Sequence, residues 1–246
     1  MKQIQFIKQT FWITEGIRNE TAADLFVHLF LERTDELKPD IWYGGVYTKN
    51  KNQKIDENTE TIFRKALYDN KILQLSFGNS SNRRKKNCFN FSIGIIPNRF
   101  NDLMISISHE YFQNQENLNI FLNIFAKITT TINCMYGLIH DMSDSLRITQ
   151  NRPYDILNKV PDIFWGNYFG SEYISKLGEN KLLSVEAFVI KRISNGIYIQ
   201  LTDSPFNFND KKTEKMRQKI KKQIGLKYFG YNKEVMNLYT DITGNK

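Results

Sequence analysis

Residues 89–96 read FNFSIGII and residues 103–109 read LMISISH, with the turn-forming sequence PNRF at positions 97–100 between them. In LMISISH, the side chains of Leu103, Ile105 and Ile107 fall on one face, which is the period of a strand with one buried side. A connection this short joins neighbouring strands of a hairpin. These residues therefore predict an antiparallel strand pair.

Outward from this hairpin, helices and strands alternate irregularly. Apolar periodicity and turn residues predict further strands at residues 3–14, 42–47, 183–193 and 196–201. Helices are predicted at residues 22–33, 56–70, 117–136, 171–177 and 211–222, with an irregular stretch from 137 to 160. Asn195-Gly196 is the strongest short hairpin signal. The pattern predicts an α+β fold in which antiparallel hairpins are flanked by helices.

A loose internal similarity bears on domain organisation. Trp42-Tyr43-Gly44 and Trp165-Gly166 each lie near a predicted helix and a strand pair. The chain is expected to form a single unit over residues 1–246. Two similar halves packed as one unit, at residues 1–140 and 155–230, remain the alternative.

Composition places the chain among globular proteins. Hydrophobic residues make up 41% and aromatic residues 13% of 246 residues, enough for a sizeable core. The N-terminus lacks the pattern of a signal peptide, and no window is apolar enough for a membrane span. Two cysteines cannot form a disulfide framework. We expect a cytoplasmic protein without a membrane partner; the sequence does not indicate an oligomeric state.

Positive charge is concentrated in two segments of a chain whose net charge is +8. RRKK at residues 83–86 predicts a loop, and KKTEKMRQKIKK at residues 211–222 predicts an amphipathic helix. Solvated surfaces are the favoured interpretation, because neither segment interleaves the aromatic residues of a single-strand stacking platform. If the chain bound nucleic acid instead, the contacts would come from Arg83, Arg84, Lys85, Lys86, Lys215, Arg217 and Lys219.

Few residues in the chain could carry covalent or metal chemistry. Among three histidines, His140 has Asp141 and Asp144 nearby, the one constellation that could hold a hard cation or orient an imidazole. Glu186 and Lys191 are an odd number of residues apart, so on one strand they would point to opposite faces and could not share a metal. No phosphate-loop, dinucleotide, nucleophile-elbow or zinc-protease motif occurs. We expect no enzyme, no cofactor and no metal site.

The order of several motifs resembles a known family. FWITEG (residues 11–16), a helix with Ala22-Ala23, IWYGG (41–45), the hairpin, and PDIFWGNYFG (161–170) before a strand pair resemble the immunity protein 52 family of bacterial toxin-immunity systems. The second half also resembles the related type VI immunity proteins. This resemblance implies a bacterial, cytoplasmic α+β protein without catalysis that binds a cognate toxin and blocks it. The toxins of such systems are often nucleases.

Two kinds of residue are candidates for contacting that toxin. Aromatic side chains next to glycines could anchor an interface, although a role in the core is the favoured interpretation for them. Carboxylates could face the basic cleft of a nuclease, but the positive net charge argues against a nuclease partner unless a local acidic surface exists, at residues 35–40 or 141–144. The candidate residues are Trp42, Tyr43, Asp141, Asp144, Trp165 and Tyr168.

Interface residues are more strongly expected in the loops at 49–56 and 141–154 than in the aromatic motifs. Two other functions remain open. The chain could be a nucleic-acid-binding component of a defence or mobile-element system, or an enzyme with a site near His140.

Overall fold

The structure is a computed structural model that describes residues 5–14, 16–69, 74–79, 89–95, 101–149 and 155–230. These residues form seven α-helices and ten strands, and the registered strand pairs are antiparallel. The predicted α+β class is therefore confirmed. Contacts divide the chain into two compact units, unit 1 up to Gly137 and unit 2 from Leu138.

Unit 1 combines a sheet with three helices. Its strands are β1 (Phe6–Ile13), β2 (Ile41–Tyr43), β3 (Gln53–Lys54), β4 (Gln74–Gly78), β5 (Phe89–Ile95) and β6 (Asn101–Ser108). Its helices are α1 (Glu20–Phe26), α2 (Thr59–Tyr68) and α3 (Gln115–Thr131). Short π- and 3-10 helical segments lie at Val27–Leu31, Gly45–Thr48 and His109–Gln113. The strands lie in the order β3-β2-β4-β5-β6-β1.

The hairpin that the sequence predicted most clearly is present. Strands β5 and β6 pair antiparallel, and β1 pairs antiparallel with the other edge of β6. Leu103, Ile105 and Ile107 are fully buried, as the alternation predicted. The sheet is covered by α1 and the π-helical turn after it, where the ring of Phe30 stacks on that of Phe91 with centroids 3.9 Å apart. Aromatic residues thus join helix to sheet in unit 1.

The predicted helix at residues 117–136 is wrong at its C-terminal end. Helix α3 ends at Thr131, and strand β7 (Cys134–Asp141) follows it and crosses from unit 1 into unit 2. All eight residues of β7 are buried, so its sequence lacks the alternation of a half-buried strand. A continuous apolar run cannot be distinguished from a buried helix by periodicity. The β-branched Thr129, Thr130 and Thr131 mark the change from helix to strand.

Unit 2 contains four helices and a small antiparallel sheet. Its helices are α4 (Met142–Thr149), α5 (Ser171–Leu177), α6 (Glu179–Leu183) and α7 (Lys211–Ile224). Its strands after β7 are β8 (Gly166–Phe169), β9 (Val189–Ile193) and β10 (Gly196–Gln200), in the order β8-β10-β9. A 3-10 turn follows at Leu226–Tyr228. The stretch from 137 to 160, predicted to be irregular, instead contains the end of β7 and α4.

The hairpin predicted at Asn195-Gly196 is confirmed, with Ile193 opposite Gly196. The Tyr168 ring lies directly on this glycine, since a Cβ at Gly196 would be 2.2 Å from a ring carbon. The Tyr168 hydroxyl donates to Asn195 Oδ1 at 3.0 Å. Close approach of the tyrosine therefore explains the glycine at this turn.

The predicted strand at residues 183–193 is too long. Leu183 ends helix α6, and β9 begins only at Val189. Glu186 consequently lies in the connection and not on a strand, so the geometric comparison of Glu186 with Lys191 across one strand does not apply. No helix among the described ranges is long and apolar enough to cross a membrane.

Candidate functional site

Unit 2 carries an open cleft of ≈ 690 Å³ at the end of the β9-β10 hairpin away from its turn. Its walls are the connection before β9, the loop after β10 and the first turns of α7. Lining residues include Val185, Glu186, Phe188, Leu201, Asp203, Asp210, Lys212 and Met216. The lining of the cleft therefore combines apolar and charged side chains.

Trp165 supports the loop after β10. Its indole Nε1 donates to the carbonyl oxygen of Thr202 at 2.8 Å, and Gln200 Nε2 donates to the same oxygen at 2.8 Å. The Thr202 hydroxyl in turn donates to the Ser204 carbonyl at 2.9 Å. These bonds satisfy the backbone of a loop that begins one wall of the cleft. Trp165, the tryptophan of PDIFWGNYFG, is thus a buried residue that supports this loop.

Carboxylates outnumber cations in the lining of the cleft. Glu186, Asp203 and Asp210 are exposed, and one lysine, Lys212, lies among them. The carboxylate of Glu186 pairs with Lys219 at 2.5 Å, whereas the ion pairs of the described chain include neither aspartate. Phe188 stands in the same lining with 58% of its surface exposed. With Lys212 in the lining and Lys219 paired with Glu186, the three carboxylates leave an excess of one negative charge at the cleft.

Below the first turns of α7 lies a buried ion-pair network. Arg217 donates to Asp144 Oδ2 at 2.7 Å, to Glu214 Oε2 at 2.6 Å and to the Ile163 carbonyl at 2.7 Å. The side chains of Arg217 and Asp144 are only 1% and 2% exposed. Arg147 adds a second cation, 2.8 Å from Asp144. This network fixes α7 against α4 and the PDIFWGNYFG segment.

Charges in this network shift the pKa of Glu214. Partial burial would raise the pKa of this carboxyl, but a hydrogen bond from Gln218 and the charge of Arg217 outweigh burial. The pKa of Glu214 therefore lies below its usual range. The carboxylate stays ionised and continues to accept from the arginines.

Burial of side chains in this part of unit 2 corrects three sequence-based expectations. Arg217 cannot contact nucleic acid as predicted, because its side chain is buried and fully bonded within unit 2. Asp144 likewise offers no carboxylate to a partner. Asp141 is 1% exposed, and its Oδ1 accepts from the backbone N–H of Ser143 at 2.6 Å. Residues 141–144 are therefore not a local acidic surface.

The structure places most of the candidate aromatic residues in the core. Trp42, Trp165 and Tyr168 are at most 5% exposed, which agrees with the favoured interpretation of these residues. The Trp42 ring packs over Gly44, where a Cβ would lie 2.4 Å from it. Tyr43 is half-buried and is the one member of the four that reaches the surface. The buried aromatic residues of the two motifs, Trp42, Trp165 and Tyr168, therefore contribute to core packing.

A second exposed surface lies beside Trp42-Tyr43-Gly44 in unit 1. Val46, Tyr47 and Tyr68 are 65%, 38% and 43% exposed, and no other large hydrophobic residue in the described part of unit 1 is exposed. The Tyr47 hydroxyl donates to the Asp69 carboxylate at 3.3 Å, which joins the 3-10 turn to the end of α2. We call Val46, Tyr47 and Tyr68 the unit 1 apolar patch.

The turn that presents this patch has an uncommon backbone. Lys49 and Asn50 both have φ of 54°, in the left-handed region that residues other than glycine rarely adopt. The Asn50 N–H donates to the Gly45 carbonyl at 2.8 Å and closes the turn. Such backbone often accompanies binding sites. Residues 49–54 are exposed, as the prediction of an interface at 49–56 requires, although contact with a partner is untested.

The remaining basic candidates differ in position. Lys215 and Lys219 are exposed on α7, as predicted, and Lys219 is engaged with Glu186. The segment Arg83 to Lys86 lies outside the described residues. Lys211, Lys215 and Lys222 are exposed at spacings of four and seven, so they share one face of α7.

Sequence reasoning did not find the cleft. The sequence pattern suggested Glu186 only as a possible metal ligand and gave no indication of Phe188 or Asp210 as site residues. The available signal was the turn-rich sequence DSPFNFND at residues 203–210, which places carboxylates at both ends of a loop. Such a signal predicts a loop but not what lies beside it.

Comparison with known proteins identifies a fold but no family. No family model matches the sequence, and no curated protein is significantly similar to it. Among solved structures, the Pseudomonas aeruginosa T6SS protein PA0821 has a similar fold, with a TM-score of 0.59 at 11% identity. The alignment covers 98% of this chain and 86% of the Pseudomonas chain. Membership of the immunity protein 52 family stays a prediction.

Proposed function

We propose that this chain is a non-enzymatic protein that binds a cognate bacterial toxin and neutralises it in a stoichiometric complex. The unit 1 apolar patch carries the proposal. Val46, Tyr47 and Tyr68 are the exposed large hydrophobic residues of the described part of unit 1, and the hydrogen bond from Tyr47 to Asp69 brings the first two near the end of α2 that carries Tyr68. Exposed apolar patches commonly mark protein–protein interfaces. Tyr47 and Tyr68 are side chains that bury a large area at small entropic cost.

The fold comparison is the second support. The neighbour of similar fold is a T6SS protein, and the second half of this chain resembles type VI immunity proteins. The sequence resemblance to immunity proteins points in the same direction. Together they favour a toxin over other protein partners.

The geometry near His140 favours binding over catalysis. His140 packs against Phe164, with ring centroids 5.4 Å apart, and is 6% exposed. Asp144 is committed to Arg217 and Arg147. The constellation that would have served an enzyme is thus part of the packing of unit 2.

Growth rescue tests the proposed function. The full chain is co-expressed with the product of a neighbouring gene, and growth is compared with cells expressing that product alone. We expect relief of toxicity and co-purification of the two proteins. A toxic product whose effect is unchanged, with no complex recovered, would contradict the proposal for that pair.

Nucleic-acid binding is the second candidate function, favoured by the aligned Lys211, Lys215 and Lys222 on α7. The ion pairs of the described residues include none of these three lysines. If they hold phosphates, affinity for DNA or RNA falls steeply with salt, and Lys215→Glu weakens it. Affinity that is weak and unaffected by Lys215→Glu would exclude this face as a nucleic-acid site.

A further inference from the structure

We propose that the unit 2 cleft receives a lysine or arginine side chain of the bound protein. This inference rests on the proposed function, because it names the chemistry of the partner. It deepens that function by assigning the cleft to a cation with an apolar stem. The structure supplies three arguments, from charge, from shape and from rigidity.

Charge distinguishes the cleft from the rest of the chain. The net charge of the chain is +8, yet the cleft lining holds three carboxylates and one lysine. Lys219 offsets the carboxylate of Glu186. Asp203 and Asp210, near opposite ends of the loop after β10, belong to no ion pair among the described residues, and Lys212, the one lysine of the lining, follows Asp210 by two residues. A cationic group is the complement to this surface.

The lining of the cleft fits a ligand that has an apolar stem as well as a charge. Val185, Leu201 and Met216 line the same cleft, and the ring of Phe188 stands 58% exposed in its wall. Val185 and Leu201 are already buried, so the apolar surface that a bare metal ion or ammonium ion would leave in water is that of Phe188 and the half-buried Met216. Lysine and arginine side chains carry three or four methylene groups below the charged head, and they bury such stems against apolar surface. Arginine also stacks on aromatic faces such as that of Phe188.

Rigidity makes the cleft ready to bind. The backbone at Phe188 is held by its N–H, which donates to the Gln200 carbonyl at 3.0 Å. The opposite loop is held by Trp165 through Thr202, and α7 is fixed through Arg217. A preformed site loses little conformational entropy on binding. The PDIFWGNYFG segment therefore supports the cleft without contacting the partner.

The test uses short blocked peptides and does not require the toxin. The full chain, labelled with ¹⁵N, is titrated with peptides identical except for a central arginine, lysine, citrulline or glutamate. We expect the arginine and lysine peptides to shift the amide resonances of Phe188, Asp203 and Asp210, with Kd of about 1 mM. Citrulline has the shape of arginine without its charge, so the citrulline peptide should bind at least about fivefold more weakly.

A matched pair of variants localises the effect. Asp203→Asn should weaken binding of the arginine peptide by about fivefold, because it removes one exposed carboxylate. Glu57→Gln removes one charge from an exposed position of unit 1 and should leave binding unchanged. Equal loss in both variants would show non-specific attraction and overturn the proposal.

Two further outcomes would also overturn it. If the arginine and citrulline peptides shift the cleft resonances equally, the positive charge of the peptide does not contribute to binding there. Dimerisation of the chain that Asp203→Asn abolishes would assign the cleft to a second copy. Failure of growth rescue alone would instead contradict the proposed function, since the peptide titration does not depend on a toxin.

Discussion

The guanidinium of Arg217 lies 2.7 Å from the carboxylate of Asp144, with both side chains almost fully buried in unit 2. A buried charge without its partner is costly, and both ions here have several partners. The basic segment at residues 211–222 therefore supplies a fully buried cation, Arg217. The ion pair of Arg217 with Asp144 joins α7 to α4.

Replacing Arg217 should destabilise the fold. Arg217→Met leaves the carboxylate of Asp144 buried with less compensation, and we expect the free energy of unfolding to fall by about 3–5 kcal/mol. Urea denaturation followed by circular dichroism measures this change. Lys215→Met, two residues away on the exposed face of α7, should change stability by less than about 0.5 kcal/mol. Equal effects of the two substitutions would contradict the network described above.

The buried Trp165 should stabilise the loop after β10. Trp165→Phe removes the indole donor to Thr202 and should cost about 1 kcal/mol from the lost hydrogen bond, with further loss from reduced packing. Faster amide exchange at Asp203, Ser204 and Phe206 should accompany this loss. Unchanged exchange there, in a variant that is globally destabilised, would show that the indole does not hold the loop.

Stability should fall in acid partly through Glu214. The pKa of Glu214 is lower in the folded protein than its usual value of 4.5, so the unfolded chain binds this proton more readily. The stabilisation is present above that value and is lost as the pH falls through the lower, folded-state pKa. Glu214→Gln should therefore lose less stability than the wild type between about pH 7 and about pH 3. A Glu214→Gln curve parallel to that of the wild type would contradict the assignment.

The unit 1 apolar patch should contribute to toxin binding and little to folding. Tyr47→Ala is expected to weaken the complex by about 30-fold, the effect of an interface anchor worth about 2 kcal/mol. Calorimetry with the purified toxin measures the affinity. Leu226→Ala alters an exposed apolar residue of unit 2 and serves as the control. An unchanged affinity in Tyr47→Ala would remove the patch from the interface.

The sequence predicted elements whose local pattern matches their final environment. The β5-β6 hairpin was predicted from its alternating apolar residues, although Ser106 and Ser108 on the other face of β6 are buried as well, and α5 begins and ends at the predicted Ser171 and Leu177. Strand β7 was missed because all of its residues are buried and its pattern is continuous. Pattern alone does not distinguish such a strand from a helix.

The candidate site was less predictable, for a different physical reason. Arg217 lies four residues after Thr213 and three before Ile220, which places it on the buried face of α7. The helical period contained that information, but arginine is rarely buried without partners, and its partner Asp144 is 73 residues away. The cleft likewise depends on three segments that meet only in the folded chain.

Titration of a purified toxin with the full chain tests the central claim most directly. Non-enzymatic neutralisation predicts that toxin activity falls linearly and reaches zero near a fixed molar ratio, with no dependence on incubation time. Complete loss of activity at a small fraction of that ratio, progressing with time, would show turnover and contradict the account. Full toxin activity in an excess of the chain would contradict it as well.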